Sequence, residues 1–245
     1  MKKIFLSVLI ILSSNILAQQ GKPPKYTFSI GPGVVAKTST RFDNSYDKAD
    51  KATNYAFIPF MNLKLGPVAL RGGGIQVSLP GHSFIRPYVS LSRDGERYYG
   101  EGMDRRKDSW FAGFGLRAAF LSFEYKKDIQ SRSKGSLMRF GLGKRLMLDK
   151  LMVRAGVGAT YSSTQFNNYY YGVRAHEVTS ERALYEADGS WGYDINLANI
   201  YRLSDKWSTS LIIFHKFLGS VVDDSPTTRK DTETAVIYGL SYKVF

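Results

Sequence analysis

The sequence predicts an all-β protein: a transmembrane, antiparallel up-and-down β-barrel of twelve strands, with ten as the alternative count. Three observations lead there. Period-2 alternation recurs from Tyr26 onward, with polar or charged residues opposite the apolar ones, which is the mark of half-buried strands. Beyond the N-terminal stretch no apolar run is long enough for a membrane helix, so a membrane role must rest on strands, and only closed barrels satisfy strand backbone groups in lipid. The alternation also runs to the last residue: Val236, Tyr238, Leu240, Tyr242 and Val244 share one face, with Ala235, Gly239, Ser241 and Lys243 on the other. Strands that are apolar outward and small or polar inward are those of outer-membrane barrels.

The elements follow in order. Lys2 and Lys3, an apolar stretch from Ile4 to Leu12 and Ala18 before Gln19 read as a signal peptide over 1–18, leaving a barrel domain over 19–245. Strand candidates cover 26–36, 55–65, 68–79 and 84–92. Trp110, Ala112, Phe114, Leu116 and Phe120 oppose Gly113, Gly115 and Arg117; Leu121, Phe123 and Tyr125 oppose Ser122, Glu124 and Lys126. Met138, Phe140, Leu142 and Leu146 face away from Arg139, Gly141, Gly143 and Arg145, and Lys144 interrupts their face near an interface where a long side chain can snorkel. Val153, Ala155, Val157, Ala159 and Tyr161 oppose Arg154, Gly156, Gly158 and Thr160. Trp191, Tyr193, Ile195, Leu197 and Tyr201 oppose Gly192, Asp194, Asn196, Ala198 and Arg202, and 206–217 and 234–245 complete the series.

That makes eleven segments, whereas both ends on one side of a membrane require an even number. Residues 97–108 supply a short twelfth strand; merging elements between Val68 and Phe120 gives ten. Short turns at 66–67, 148–150 and 204–206 alternate with long polar connections at 37–54, 162–188 and 219–231, as periplasmic turns and extracellular loops do. Tyr26, Tyr55, Trp110, Tyr161, Trp191, Tyr201 and Trp207 at strand ends suggest two aromatic girdles. The last residue is out of step: Phe245 falls one position off the apolar face of its strand.

Composition narrows the chemistry. With no cysteine, disulfide, thiol and zinc-thiolate chemistry are excluded. The net charge of +13 is spread along the chain, which fits outer-membrane lipid and lipopolysaccharide phosphates and shows no nucleic-acid signature. His82, His176 and His215 stand in separate segments without a local nucleophile-and-base pattern, so neither catalytic residue, metal set nor cofactor motif is assigned. Asp43, Asp47, Asp50, Asp223 and Asp224 lack the spacing of a calcium loop. Arg71, Arg117, Arg139, Arg154 and Arg202, with Glu124 and Asp194, fall on inward positions and are the candidate lumen lining. They make either an anion-preferring channel or, the favoured reading for a small barrel, an interior filled by ion pairs.

Certain runs carry a resemblance. YYYGV (Tyr169, Tyr170, Tyr171, Gly172, Val173), ALYEADGSWGY from Ala183 with Tyr185, YRLSDKWS from Tyr201, and DDSP (Asp223, Asp224, Ser225, Pro226) occur in the order and spacing of the MltA-interacting protein (MipA/OmpV) family. LRGGGIQV from Leu70, after Gly66-Pro67, is similar to its earlier hairpin. Residues 93–108 depart most, and the loop carrying Ala175, His176, Glu177 and Arg182 is basic where the family is Ala-Gly-rich. The resemblance implies a non-enzymatic outer-membrane scaffold between a murein lytic transglycosylase and a penicillin-binding protein in peptidoglycan remodelling. Other members of the family are described as surface adhesins or antigens.

Overall fold

The apolar face of each alternating segment looks to lipid while the residues between look to a lumen, and the pattern is closed by backbone pairing of first strand to last. The computed structural model describes residues 26–42, 53–71, 73–82 and 84–245. The expected signal peptide and Asp43, Asp47 and Asp50 lie outside the described residues. Twelve strands follow: β1 Tyr26–Thr38, β2 Thr53–Leu65, β3 Val68–Arg71, β4 Gly74–Ser78, β5 Ile85–Asp94, β6 Ser109–Ala118, β7 Leu121–Asp128, β8 Ser136–Leu148, β9 Leu151–Ser162, β10 Ser190–Arg202, β11 Trp207–Phe217 and β12 Thr232–Lys243. Each pairs antiparallel with the next, and β12 pairs with β1, forming a closed barrel. The described residues contain no helix long and apolar enough to cross a membrane, and the closed barrel crosses it with strands.

The count of twelve holds, but its expected source does not. Residues 97–108 form a loop whose only pairing is an isolated bridge between Tyr98 and Arg106. The extra strand comes instead from 68–79, which folds back on itself as the β3–β4 hairpin, turning at Gly73 with φ +77°. A left-handed φ is open to glycine at little steric cost, and the glycine run of this segment had read as one continuous strand. At four and five residues, β3 and β4 rise only about 13–17 Å, against the roughly 25 Å apolar band of an outer-membrane barrel.

Short connections at 66–67, 119–120, 149–150 and 203–206 gather on one rim, and on the other lie long ones at 95–108, 163–189 and 218–231 together with the facing ends of β1 and β2 at Thr38 and Thr53. In outer-membrane barrels these rims face periplasm and exterior respectively. Tyr26, Tyr201 and Trp207 lie at the turn rim, and Tyr55, Trp110, Tyr161 and Trp191 at the loop rim. On that side the Tyr161 and Trp191 rings are 5.4 Å apart. Phe120, expected on a strand face, sits instead in the β6–β7 turn.

The seam explains the displaced final aromatic. Phe28 on β1 receives a hydrogen bond from Val244 N–H (2.8 Å) but donates its own to the carbonyl of Phe245 (2.9 Å). Two residues thus oppose one, a bulge-like offset. It restores Phe245 to the outward face, its ring 5.9 Å from that of Phe28.

The β7–β8 loop, 129–135, depends on a single carboxylate. Asp128 accepts from Ser109 Oγ (2.5 Å), Gln130 N–H, Ser133 N–H and Oγ, and Lys134 N–H. Asp128→Ala leaves these donors unpaired at about 1–3 kcal/mol each where buried. The expected result is selective proteolysis of 129–135 in an otherwise intact barrel, read by mass spectrometry of limited digests; an uncut loop would contradict this role.

Candidate functional site

Two regions carry the polar chemistry, a cap over the loop rim and the lumen beneath it. Ser163 starts the cap by accepting from Phe166 N–H as the N-cap of α1, Thr164–Tyr171. This helix was not expected, since its tyrosines and asparagines carry little apolar periodicity. Phe166 and Tyr170 pack on Phe111 and Leu137, which face inward from β6 and β8, and Phe166 meets Phe111 edge to face at 5.9 Å. At its far end the Tyr170 carbonyl accepts from Arg41, just beyond β1 (2.8 Å). The helix therefore crosses the mouth of the barrel.

Arg41 is buried at 2 % exposure. It donates to Glu96 (2.8 Å), Thr227 Oγ1 (2.7 Å) and Tyr170 O, while its guanidinium lies 4.0 Å from the ring centre of Tyr171 and 4.7 Å from that of Tyr98. Burial pushes the Tyr171 phenol up to about 12 even against this positive charge, so the ring stays neutral. Burial likewise raises the Tyr170 phenol, with Tyr169 and nearby carboxylates adding to it. Below Arg41, Lys37 bridges Glu233 (2.6 Å) and Glu96 (4.0 Å), tying the cap to β1 and β12.

A second ion pair clamps the segment that follows α1. Arg106 grips both carboxylate oxygens of Glu177 at 2.8 and 2.7 Å, and each is 1 % exposed. Glu177 also accepts from the backbone N–H groups of Asp104 and Arg174. Burial alone would raise the Glu177 carboxyl, but these charge-assisted bonds prevail and hold it at about 2. Asp104 pairs with Arg174 and His176 outside it. Asp104, His176 and Glu177 lie close enough together to resemble a metal set, yet Arg106 already occupies both Glu177 oxygens. The cluster is a salt-bridge knot.

The family-like loop residues meet in this cap. Val173 and Tyr185 form a bridge, Tyr185 Oη donates to Val221 O (2.7 Å), and Ser225 Oγ to Tyr171 O (2.6 Å). Asp223 and Asp224 end the short helix α2, Ser220–Asp223, and Pro226 follows it. Tyr169, Gly172, Val173 and Tyr185 also border a cleft of about 430 Å³. None of this was legible pairwise, because the contacts join loops far apart in sequence.

The lumen takes the remaining candidates. Arg117, Glu124, Arg139 and Arg154 line one cavity of about 250 Å³. Arg139 pairs with Asp194 at 2.7 Å, Arg117 donates to Gln76 (2.7 Å) and covers the Tyr88 ring, and Glu124 accepts from Ser90 (2.8 Å). Arg202 lies at the turn end of β10, and the Arg71 side chain lies outside the described residues. Arg145 and Lys126, placed opposite the apolar faces in the sequence but not counted as lumen lining, join them, and Arg86 and Asp94 went unremarked. Arg86 is paired with Arg117 and Arg145 with Arg154, and Lys126 bridges Asp94 at 2.8 Å. Extending the same alternation along β5 would have found Arg86 and Asp94.

The histidines lie apart. His176 is in the cap, His82 stacks on Phe84 at the β4–β5 connection, and His215 bonds Thr234 at 2.8 Å.

Known proteins resemble the chain in sequence. The chain is 27% identical over 146 residues to outer membrane protein Omp26La of Vibrio anguillarum, covering 58% of this chain and 57% of that one. It is 28% identical to OmpV of Vibrio cholerae, with 51% of each covered; the chain thus spans about half the length of these two relatives. With MltA-interacting protein of Escherichia coli it shares 26% identity over 99% of this chain and 98% of that one. These relatives are named as outer-membrane or interacting proteins, and the protein is likewise an outer-membrane β-barrel. Residues 26–244 match the family model of MltA-interacting protein MipA, and the chain belongs to that family.

Proposed function

We propose that the protein is a non-enzymatic outer-membrane scaffold that docks a murein lytic transglycosylase, and with it a penicillin-binding protein, on the periplasmic rim. The observation that carries this reading is the near full-length similarity to a relative named for interacting with MltA. The rim itself lends support. Its connections present large apolar side chains to solvent: Phe84 at 72 %, Phe120 at 60 % and Leu203 at 51 % exposure. No single short turn covers the roughly 800 Å² per partner of a stable interface, so docking has to use several turns together. Lipopolysaccharide and other outer-membrane lipid surround the barrel wall.

The alternative, a small-solute channel, is opposed by α1 across the mouth. Photo-crosslinkers at Gly66, Asp149 and Asp205 should capture a murein enzyme in intact envelopes, and capture of none would sink the scaffold. Purified barrel in a planar bilayer should be silent. Current steps whose ion preference reverses on Arg117→Glu or Arg154→Glu would favour the channel instead.

A further inference from the structure

The lumen has two unlike walls. On the side of β5, β6, β8 and β9, Arg86 faces Arg117 and Arg145 faces Arg154 in direct cross-strand pairs. Like charges so placed repel, and among the described residues no carboxylate is bonded to Arg86, Arg145 or Arg154. Such a cluster is stabilised by a bound anion. At mid-height on the side of β11, β12, β1 and β2 the inward positions are apolar instead, with Val35, Ile58, Phe60, Ile212, Phe214 and Ile237 half-buried, while polar residues such as Lys37 and Glu233 above and Ser29 and Ser208 below flank them. The Phe60 ring lies over Gly239, where a Cβ would come within 2.8 Å of it.

The two walls are continuous. One row of paired inward residues runs from Ala56 through Val35, Ile237, Ile212 and Ala198 into Arg154. Because barrel strands tilt, this row climbs from near the β8–β9 turn to the upper part of β2. There the wall is interrupted. β3 pairs with β2 only over Asn62 to Leu65, and β4 with β5 only over Tyr88 to Leu91. Among the described residues, the stretch 53–61 of β2 has no strand on that side. Beside this opening Tyr55 and Phe57 are 80 % and 91 % exposed toward lipid. Pro59, within the open edge, has no N–H to offer an incoming strand, which disfavours edge pairing by another chain. An acyl chain needs no such donor.

We infer that the barrel binds a single-chain amphiphile with an anionic head, taken laterally from the surrounding membrane through the opening above β3–β4. Its tail lies along Val35, Ile58, Ile212 and Ile237, and its head is held by Arg117, Arg145 and Arg154. The site is independent of docking at the turn rim, so either can fail alone. The probe is laurate, titrated into the full-length barrel in a non-ionic detergent, with dodecyl phosphate, dodecanol and inorganic phosphate as comparisons. Laurate and dodecyl phosphate should saturate one site, while dodecanol and phosphate bind at least tenfold more weakly. Equal binding of dodecanol, or no saturable laurate site, overturns the proposal without any variant. Arg145→Gln with Arg154→Gln should weaken laurate at least tenfold, and unchanged affinity counts against the head site. Ala56→Trp, filling the opening, should slow laurate exchange at least tenfold in stopped flow, and an unchanged rate overturns the lateral route.

Discussion

Glu177→Ala is expected to release the outer cap while leaving the barrel closed. The substitution strands Arg106 at 1 % exposure, and breaking one side of a buried pair costs about 3–5 kcal/mol. It also removes the acceptor for two backbone N–H groups. The loop bearing Arg174 and Arg182 should become cleavable by trypsin at neutral pH, with the heat-modifiable gel mobility of the barrel retained. Acid should mimic the variant in the native protein. The Glu177 carboxyl is lower folded, about 2, than its ordinary 4.5, so its contribution is fully present above pH 4.5 and fades as pH falls toward 2. Native cap cleavage by an acid-tolerant protease that rises below pH 4.5 checks the sign. Cleavage that is unchanged in both experiments would show that the pair does not hold the cap.

Arg41→Ala should loosen the C-terminal end of α1, where Arg41 bonds the Tyr170 carbonyl. Its removal leaves Glu96, Thr227 and the Tyr170 carbonyl without their donor and takes a cation from between two tyrosine rings. Buried unpaired groups cost about 1–3 kcal/mol each, and each cation–π contact adds roughly 0.5–2. Hydrogen exchange of the amides at 170–173 and 225–229 should accelerate at least a hundredfold, while the β8–β10 ladder keeps its protection. Unaltered exchange in those segments would show that Arg41 is dispensable to the cap. Because Arg41 ties the end of α1 to Thr227 and Arg106 ties it to Glu177, each variant should free its own segment first.

The strands were legible because lipid and lumen impose opposite demands on neighbouring residues, so every turn of the pattern, as at Trp191–Gly192–Tyr193–Asp194, records the fold locally. What the sequence concealed is non-local or depends on glycine. Gly73 turns one apparent strand into two, and residues 97–108 looked like a strand because Tyr98 and Tyr99 are strand-forming types, although Tyr98 bridges back to Arg106 within the loop. The cap was hidden for a similar reason: Arg41, Arg106 and Glu177 each sit in polar loops where exposure is the default reading, yet they are buried through contacts made across the mouth. Inward positions of Arg117, Arg139, Arg154 and Asp194 follow from parity alone. Which of them find an acidic partner depends on register between strands, and no single strand carries that.

The bulged pairing at Phe28 also bears on how the molecule assembles. Eleven of its twelve strand junctions join consecutive strands and can form locally, whereas the twelfth unites segments such as Thr38 and Thr234, 196 residues apart. Loop-closure entropy makes so distant a contact slow to form and late. Until it forms, Phe245 has no neighbour across the seam and the edges of β1 and β12 are open templates for other strands. The contact between the Phe28 and Phe245 rings therefore marks the completion of folding: they can meet only when the sheet has become a cylinder.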